Sequence, residues 1–524
     1  MDKDKVGAVL VVGGGIAGIQ TSLDLANSGF KVYLLEDSPA IGGTMAQLDK
    51  TFPTNDCAMC IMSPKLVDCG RHHNIELISC AELTELTGEA GNFHVKIFRR
   101  PRYIDIDKCT GCGECEKACP VEVASEFEEG IVNRKAAFRL FPQAYPNAFA
   151  IDKKRRPPCQ VGCPAGVHVQ GYVALIREKK YYEAYELIRR DNPFVSICGR
   201  VCHHPCEDNC RRGEYDEPIA IASLKRFIAD RVYKEEHPLP EPVEITSDKT
   251  VGIVGAGPSG LTCAMRLRDM GYAVTVYDEA DEPGGMLTYC LPEYRIPKEM
   301  AMQDIERMLA SGFELKSGTK VGKNVTLEEL KERHDAVYVA VGFQAPARLF
   351  DEFDESNGVL LGLDFLRRAK KGAKVRNFGK RIVVIGGGNV AMDCARTAIR
   401  LGAEEVNLMC LETRDLESKD RMPAHVWEIE EAEEEDISIH DRLGPRKIIT
   451  ENGRVIGVKT MRCTSVYKDD GSFAPVFDDN EKTEIITADT VVIAIGQRSA
   501  LDGFEMLKSN RGIIEANAIT LETS

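Results

Sequence analysis

Residues 250–279 read TVGIVGAGPSGLTCAMRLRDMGYAVTVYDE, and the same grammar occurs twice more, as AVLVVGGGIAGIQTSLDLANSGFKVYLLED at 8–37 and RIVVIGGGNVAMDCARTAIRLGAEEVNLMCLE at 381–412. Each copy opens with a short run rich in Val and Ile, the pattern of a strand buried on both faces of a parallel sheet. A glycine turn and a helix follow, then a second apolar strand. Three such units predict an α/β chain built from Rossmann-type domains.

The glycine spacing gives the turns a chemistry. Gly13, Gly15 and Gly18 form G-x-G-x-x-G, and Glu36 ends the next strand 23 residues after Gly13; Gly255, Gly257 and Gly260 repeat this, with Asp278 again 23 residues on. Glycines allow the tight turn and let a pyrophosphate approach backbone N–H groups at a helix N-terminus, while the acid can bind ribose hydroxyls. The third copy, Gly386, Gly388 and Ala391, ends its second strand near Glu412. One such motif alone is weak, because glycine turns also arise for structural reasons. Here strand, helix and terminal acid accompany every copy, which predicts dinucleotide sites.

At 524 residues the chain has room for about three or four domains. A formal net charge of -15 argues against a general nucleic-acid or membrane-surface binder, which needs clustered Lys and Arg. The basic run KKRRPP at 153–158 is too short to change that. No signal-peptide pattern opens the chain, and no stretch approaches the roughly 18 apolar residues of a membrane span. The expected location is the cytoplasm.

Fourteen of the 19 cysteines precede residue 211, in closely spaced groups. Dense disulfides belong to small secreted chains, so metal or cluster ligation is the better reading. Cys109, Cys112, Cys115 and Cys119-Pro120 form the C-x-x-C-x-x-C-x-x-x-C-P run of a bacterial ferredoxin, whose spacing suits a [4Fe–4S] cube better than zinc. A second ferredoxin half is absent, so Cys119 either closes its own cluster or ligates another; the first is favoured. Cys159, Cys163, Cys198, Cys202, Cys206 and Cys210 offer six thiolates, enough for one cluster and short of two, with zinc as the alternative. Cys57, Cys60 and Cys69, with Cys80 beyond, are read first as cluster ligands and second as a redox disulfide at Cys57 and Cys60, the other alternative being buried apolar cysteines.

On GGGIAGIQ, LLEDSPAIGGTMAQLDKTFPTNDCAMCIMSPKL and PRYIDIDKCTGCGECEKACPVEVASEFEEG, the region from Ala8 to about Ile151 resembles the A-type subunit of heterodisulfide reductase. That resemblance implies an FAD-binding domain interrupted by a ferredoxin insert, in a family where flavin feeds clusters and some members bifurcate electrons. From Cys159 onward, CQVGCPAGVHVQGYV, NPFVSICGRVCHHPCEDNC, VGIVGAGPSG, EPGGMLTYCLPEYRIPK, AVYVAVG, GGGNVAMDCAR and TVVIAIGQ make the chain similar to the small subunit of glutamate synthase and related NAD(P)H-dependent iron–sulfur flavoproteins. This implies a helical cluster domain, FAD at the second glycine turn with Gly285, Met286, Gly342 and Gly496, and a nicotinamide dinucleotide at the third with Asn389. Relatives carry an extra C-x-x-C upstream of Cys159 where DKKRRPP stands here. A non-cysteine ligand of some relatives falls near Lys225, a poor ligand while charged, so Cys198 would substitute.

The expected domains are a partial FAD-binding Rossmann domain at 1–100, a ferredoxin-like segment at 101–152, a helical iron–sulfur domain at 153–240, an FAD-binding domain at 250–345 and 485–524, and an NAD(P)-binding domain at 346–484. EEHPLPEPVEITSDK reads as a linker. Relatives continue past GIIEANAITLETS, and the first flavin fold lacks its second half, so a fragment of a longer polypeptide is expected. The implied function is electron transfer between NAD(P)H, FAD and [4Fe–4S] clusters toward a partner: a heterodisulfide reductase-like or hydrogenase-like subunit, or a ferredoxin. Glu412 favours NADH over NADPH, with Arg414 pulling the other way. The rivals are a disulfide reductase using Cys57 and Cys60, and a non-catalytic cluster-carrying scaffold.

Overall fold

A computed structural model describes residues 7–153, 156–350, 352–372, 378–478, 484–510 and 512–523; Lys154 and Arg155 of the basic run fall outside them. The chain divides into two units, Met1–Arg156 and Pro157–Ser524.

In the first unit β1 (Ala8–Val12), α1 (Ile16–Asn27), β2 (Lys31–Leu35), α2 (Ala58–Arg71) and β3 (Ile75–Ile78) form a parallel sheet in the order β1-β2-β3, with Ala8 opposite Lys31 and Val32 opposite Ile75. Among the described residues nothing pairs with the outer edge of β1, and Val12 is 59% exposed. An antiparallel hairpin, β4 (Ala81–Glu89) and β5 (Asn92–Arg99), leads to a short helix α3 (Glu114–Lys117) and two small hairpins, β6 (Glu122–Ala124) with β7 (Asn133–Lys135) and β8 (Ala137–Phe138) with β9 (Ala150–Ile151). The chain then returns to the first domain earlier than expected. Phe141 and Ala144 are buried with Ile19, Leu34 and Leu66, and the Tyr145 hydroxyl donates to the Gly70 carbonyl at 2.6 Å. The expected segment 101–152 is therefore not separate throughout: part of it completes the glycine-turn core.

The second unit opens with helices α4 (Pro158–Val161), α5 (Val169–Arg177), α6 (Tyr181–Asp191), α7 (Val195–Val201), α8 (Pro205–Asp208) and α9 (Ile221–Lys234). Their apolar faces meet around Tyr172, Tyr185, Ile188 and Ile228, as the three- and four-residue spacing in 169–190 predicts. The linker that follows is pinned. Arg307 donates to the carbonyls of His237 and Pro238, and Arg268 to that of Val243.

Next come β10 (Thr250–Val254), α10 (Pro258–Asp269), β11 (Ala273–Tyr277), α11 (Met286–Tyr289), α12 (Lys298–Leu309), β12 (Glu314–Lys316), α13 (Leu327–Arg333) and β13 (Ala336–Val339), giving a parallel sheet β12-β11-β10-β13. After β14 (Ala345–Pro346) a second parallel sheet runs β15-β23-β16-β17-β18, from β15 (Val359–Leu361), β16 (Arg381–Ile385), β17 (Glu405–Met409), β18 (Ser438–His440) and β23 (Thr490–Ile493). Its helices are α14 (Gly362–Lys370), α15 (Asn389–Arg400) and α16 (Val426–Glu434). An antiparallel layer, β19 (Leu443–Glu451), β20 (Arg454–Tyr467), β21 (Phe473–Asp478) and β22 (Ile485–Thr487), packs through Ile448, Val455 and Val458 on Val383, Ile385 and Val491.

This corrects the boundary at 485. β23 lies between β15 and β16, so residues 490–493 belong to the sheet of the third glycine turn. The chain re-enters the domain of the second glycine turn at β24 (Gln497–Arg498), which pairs with β14, and Phe504 is buried with Val254 and Tyr277.

Candidate cofactor sites

The first two glycine turns are built alike. Gly13 and Gly255 take φ of 101° and 105°, and α1 and α10 begin directly after Gly15 and Gly257. A Cβ on Gly18 would meet the Gly13 carbonyl oxygen at 1.8 Å, and one on Gly260 would meet that of Gly255 at 1.9 Å. The third glycine of each motif is therefore compelled by packing of the helix onto its own turn. The acids close these turns: Glu36 accepts from Gly14 N–H at 2.5 Å and Ser38 N–H at 2.9 Å, and Asp278 from Ala256 N–H at 2.5 Å and Ala280 N–H at 2.7 Å. Burial pushes both carboxyls upward while these N–H groups pull them back.

A second glycine pair seats against each turn. Gly42 and Gly284 donate to the carbonyls of Gly14 and Ala256, both at 2.7 Å. A Cβ on Gly43 would stand 3.2 Å from Gly15 Cα, and one on Gly285 3.1 Å from Gly257 Cα. Gly14, Gly42, Gly43, Ala256 and Gly284 are absent from the residues singled out on sequence. The signal was present, since IGG and PGG place Gly42 and Gly284 each six residues after the acid.

The third turn differs. Gly386 has φ 140° and Gly388 precedes α15, but Ala391 fits where the other turns need glycine. Asn389 accepts from the His425 N–H at 3.0 Å, and Ala424 N–H donates to the Gly387 carbonyl at 3.1 Å, so loop 423–425 lies against the turn. The Glu412 carboxylate lies beside Gly387, 2.7 Å from where its Cβ would stand, and burial pushes it up while the nearby N–H groups of Glu412 and Leu411 pull it back. Arg414 is engaged elsewhere, with Glu433 at 2.7 Å and Asp441 at 3.6 Å.

A cavity of about 690 Å³ opens at the second turn, lined by Gly255, Gly257, Asp278, Gly285, Met286 and Gly342, and across from them by Arg367 and Lys371 beside α14. That volume falls in the usual range for bound ligands, about 300–1,000 Å³. Gly260 packs under the turn instead, and Gly496, φ 117°, accepts from Ala347 N–H at 2.9 Å in the strap that crosses between the two domains.

In the first unit Gly111 and Gly113 take φ of 71° and 84°, bending the loop so that backbone N–H groups face sulfur. The Cys112 thiol is pulled down first by the Glu114 N–H, and Cys115 interacts electrostatically with Cys109 and Cys112. Cys119 follows α3, its Sγ donating to the Val121 carbonyl at 3.6 Å. Cys57 caps α2, accepting from Cys60 N–H at 3.4 Å, and both thiols are exposed. Their hydrogen bond pulls Cys57 down and pushes Cys60 up. Cys69 does not join them: it lies nine residues along α2, about 13 Å of helix rise beyond Cys60. Buried with Met62 and Leu66, its thiol is pushed up to about 11. Cys80 is also buried.

In the second unit the four-residue spacing from Cys198 to Cys210 does not produce one helical stripe. The helix breaks at Cys202, where His204 takes φ 43° before Pro205, and α8 folds back beside α4. Burial pushes the Cys159, Cys198 and Cys206 thiols up, Cys206 to about 11, with smaller electrostatic contributions from Cys163 and Cys210 at Cys159, from Cys163 and Cys202 at Cys206, and from Cys202 at Cys198. Among the described residues no three His, Cys, Asp or Glu side chains converge closely enough to hold one metal ion. A cubic cluster sets its thiolates wider apart than a single ion does, and all-cysteine donors with aligned N–H groups fit that chemistry.

Residues 249–523, just over half the chain, match the pyridine nucleotide-disulphide oxidoreductase family. The chain belongs to that family. Three further matches are the NAD(P)-binding Rossmann-like domain at 11–64, the 4Fe-4S binding domain at 102–125 and dihydropyrimidine dehydrogenase domain II, 4Fe-4S cluster, at 151–237. The cofactor classes expected from the sequence, [4Fe–4S] clusters, FAD and NAD(P)H, are those of the matched domains. The chain is 37% identical over 395 residues to the NADP(+)-dependent formate dehydrogenase subunit beta of Moorella thermoacetica, covering 70% of this chain and 55% of that protein. It is 37% identical over 351 residues to the NADPH-Fe(3+) oxidoreductase subunit beta of Geobacter sulfurreducens, covering 66% and 51%. The chain thus spans about half the length of these curated relatives. Over 144 residues it is 60% identical to the A-type subunit of the H(2):CoB-CoM heterodisulfide,ferredoxin reductase of Methanothermobacter thermautotrophicus, 28% of this chain and 22% of that one. No helix among the described residues is long and apolar enough to cross a membrane.

Proposed function

We propose that the protein is an iron–sulfur flavoprotein oxidoreductase, moving electrons between a nicotinamide dinucleotide, FAD and [4Fe–4S] clusters and on to a partner acceptor. The carrying observation is the cavity of about 690 Å³, which joins the second glycine turn to α14 of the nucleotide domain, where two redox rings would have to meet. FAD bound there supplies the interconversion of hydride and single-electron transfer. The chain's own residues bind and orient. Asp278 holds the turn, Gly257 and Gly285 keep the N-terminus of α10 open to a pyrophosphate, and Arg367 and Lys371 offer positive charge at the rim.

At the third turn Gly386, Gly388, Asn389 and Ala391 would seat the nicotinamide dinucleotide. Two relatives are named for NADP(+) or NADPH. Here Glu412 faces the turn and Arg414 is spent on Glu433 and Asp441, so we assign NADH, whose ribose hydroxyl the carboxylate can accept. The first turn, with Gly13, Gly15, Gly18 and Glu36, is assigned a second FAD. Cys109, Cys112, Cys115 and Cys119 are assigned one cluster, and the six cysteines from Cys159 to Cys210 at least one more. The chain would act in the cytoplasm with heterodisulfide reductase-like or hydrogenase-like subunits or a ferredoxin, in keeping with relatives that are named subunits.

Anaerobic purification with iron, sulfide and flavin counts, followed by EPR after NADH addition, tests this. Bound flavin and cluster signals that appear on NADH addition are expected. About four iron atoms per chain, a single cluster, would defeat the relay; a flavin-free chain would favour the scaffold.

A second reading rests on the exposed Cys57 and Cys60 at the start of α2. The Cys57 thiolate would attack a substrate disulfide and expel one substrate thiol, and Cys60 would release the other, leaving a Cys57–Cys60 disulfide. A hydride from NADH, passed as two electrons by way of flavin, together with one proton from solvent restores the dithiol. Cys60→Ser would then abolish NADH-dependent reduction of an aromatic disulfide with iron content unchanged; retained activity eliminates this route.

A further inference from the structure

The His203 ring stacks on the His425 ring with centroids 5.0 Å apart and planes within 3° of parallel. His425 continues the stack to Trp427 at 6.1 Å and 2°, and His204 meets the same indole at 6.1 Å and 26°. Ring pairs with centroids about 4.5–7 Å apart attract beyond what their buried area gives. His203 and His204 stand between α7 and α8, whereas His425 and Trp427 belong to the start of α16. The stack therefore ties the helical domain to the domain of the third glycine turn.

Both sides of the stack are anchored. The buried Asp304 on α12 accepts from Ser196 N–H at 3.2 Å and Ile197 N–H at 2.9 Å, which fixes the start of α7. A Cβ on Gly199 would meet Arg226 N at 2.6 Å, so only glycine lets α7 press this closely on α9. On the other side the His425 N–H donates to Asn389 Oδ1 at 3.0 Å and the Ala424 N–H to the Gly387 carbonyl at 3.1 Å. A backbone N–H can only donate, so the Asn389 amide turns its oxygen to His425 and its Nδ2 away. Among the described residues Nδ2 has no hydrogen-bond partner, which leaves it as a donor at the first residue of α15.

We infer that His203 is a positioning residue of the third-turn site: its ring, stacked on His425, holds loop 423–427 so that the Asn389 amide presents Nδ2 to the bound dinucleotide. The inference rests on the reading of the third turn as the nicotinamide dinucleotide site. A ligand binds only the fraction of the protein whose loop is already in place, so releasing the loop weakens the observed affinity by that fraction. His203 acts through His425 and Asn389 and takes no part in hydride transfer. A residue of the helical domain thereby sets how well a site in another domain holds its nucleotide.

The test uses the full chain, purified anaerobically, as wild type, His203→Ala, His203→Phe, His425→Ala and the double variant His203→Ala/His425→Ala. NAD+ binding is measured by calorimetry, with iron counts and the KM and kcat for NADH. His203 is exposed, so its replacement leaves the fold in place, and alanine at 425 keeps the N–H that Asn389 accepts. Each alanine variant is expected to bind NAD+ about two- to tenfold more weakly, the range that one aromatic pair supplies. His203→Phe restores wild-type affinity, because a flat ring is what the stack needs. The double variant is no weaker than the weaker single one, since both lose the same contact. The loss falls on KM for NADH and not on kcat. Unchanged affinity in His203→Ala overturns the inference, as do fully additive losses in the double variant, a His203→Phe as weak as alanine, or iron lost from His203→Ala and not from His425→Ala, which would confine the effect to the loop of His203. The third-turn reading is checked separately by Gly388→Val, whose Cβ has room in the fold, 3.9 Å from Pro423 Cγ, but fills the approach of a pyrophosphate. Wild type that binds no NAD+, or binding untouched by Gly388→Val, would reject that reading and the inference with it.

Discussion

Gly260 leaves no room for a side chain. A methyl there meets the Gly255 carbonyl oxygen at 1.9 Å, so α10 must lift off the turn that it caps. Gly260→Ala should cost about 1–3 kcal/mol, the range for overpacking, seen as a lower denaturation midpoint together with loss of bound flavin. Ala391→Gly on the third turn should cost only about 1 kcal/mol, from helix propensity. Glu412 and Arg414 make a contrasting pair. On sequence Glu412 favours NADH and Arg414 pulls the other way, and the ion pairs of Arg414 with Glu433 and Asp441 support the proposal of NADH. Glu412→Ala should raise the KM for NADH several-fold and leave NADPH little changed, measured as initial flavin reduction rates; a strong NADPH preference in wild type would refute the assignment. The 23-residue spacing located Glu36 and Asp278 but not their hydrogen-bond partners, because those partners are backbone groups of turns whose shape only the folded sheet defines.

Among the elements, α15 and α16 are pinned to the domain of the second glycine turn by Arg295, whose guanidinium donates to Asp393 at 3.0 Å and Glu428 at 2.7 Å and lies 5.7 Å from the Trp427 ring. Burial pushes Glu428 up to about 6 despite that guanidinium. A carboxyl whose folded pKa exceeds its unfolded value near 4.5 stabilises the fold when protonated, and that contribution is lost as pH rises through about 6. Glu428→Gln should therefore flatten the fall in Tm between about pH 4.5 and 6, by at most about 2 kcal/mol; an unchanged slope would place the pH dependence on Asp393, also pushed up by burial. The helices themselves were legible from apolar spacing. The break between α7 and α8, where His204 takes φ 43° before Pro205, was not read from the sequence.

Over the whole molecule the three glycine units announced a repeated α/β architecture, and all three formed. What they did not announce is how each sheet is completed. β10 and β16, which carry the second and third turns, are flanked on both sides, by β11 and β13 and by β17 and β23, whereas β1 keeps one edge unpaired among the described residues. β23 went to the sheet of the third glycine turn although its neighbours in sequence rejoin the domain of the second, and residues 141–145 left the ferredoxin-like segment for the first core. By itself the sequence determined everything that depends on neighbours a few residues apart: strand–turn–helix units, glycine turns, the C-x-x-C-x-x-C loop and the cofactor classes they suit. Only the tertiary structure decided which strand enters which sheet and that Cys69 parts from Cys57 and Cys60. The physical reason is range. Local periodicity and φ preferences are written in contiguous residues, while burial and pairing depend on contacts between segments tens to hundreds of residues apart, which no short stretch encodes.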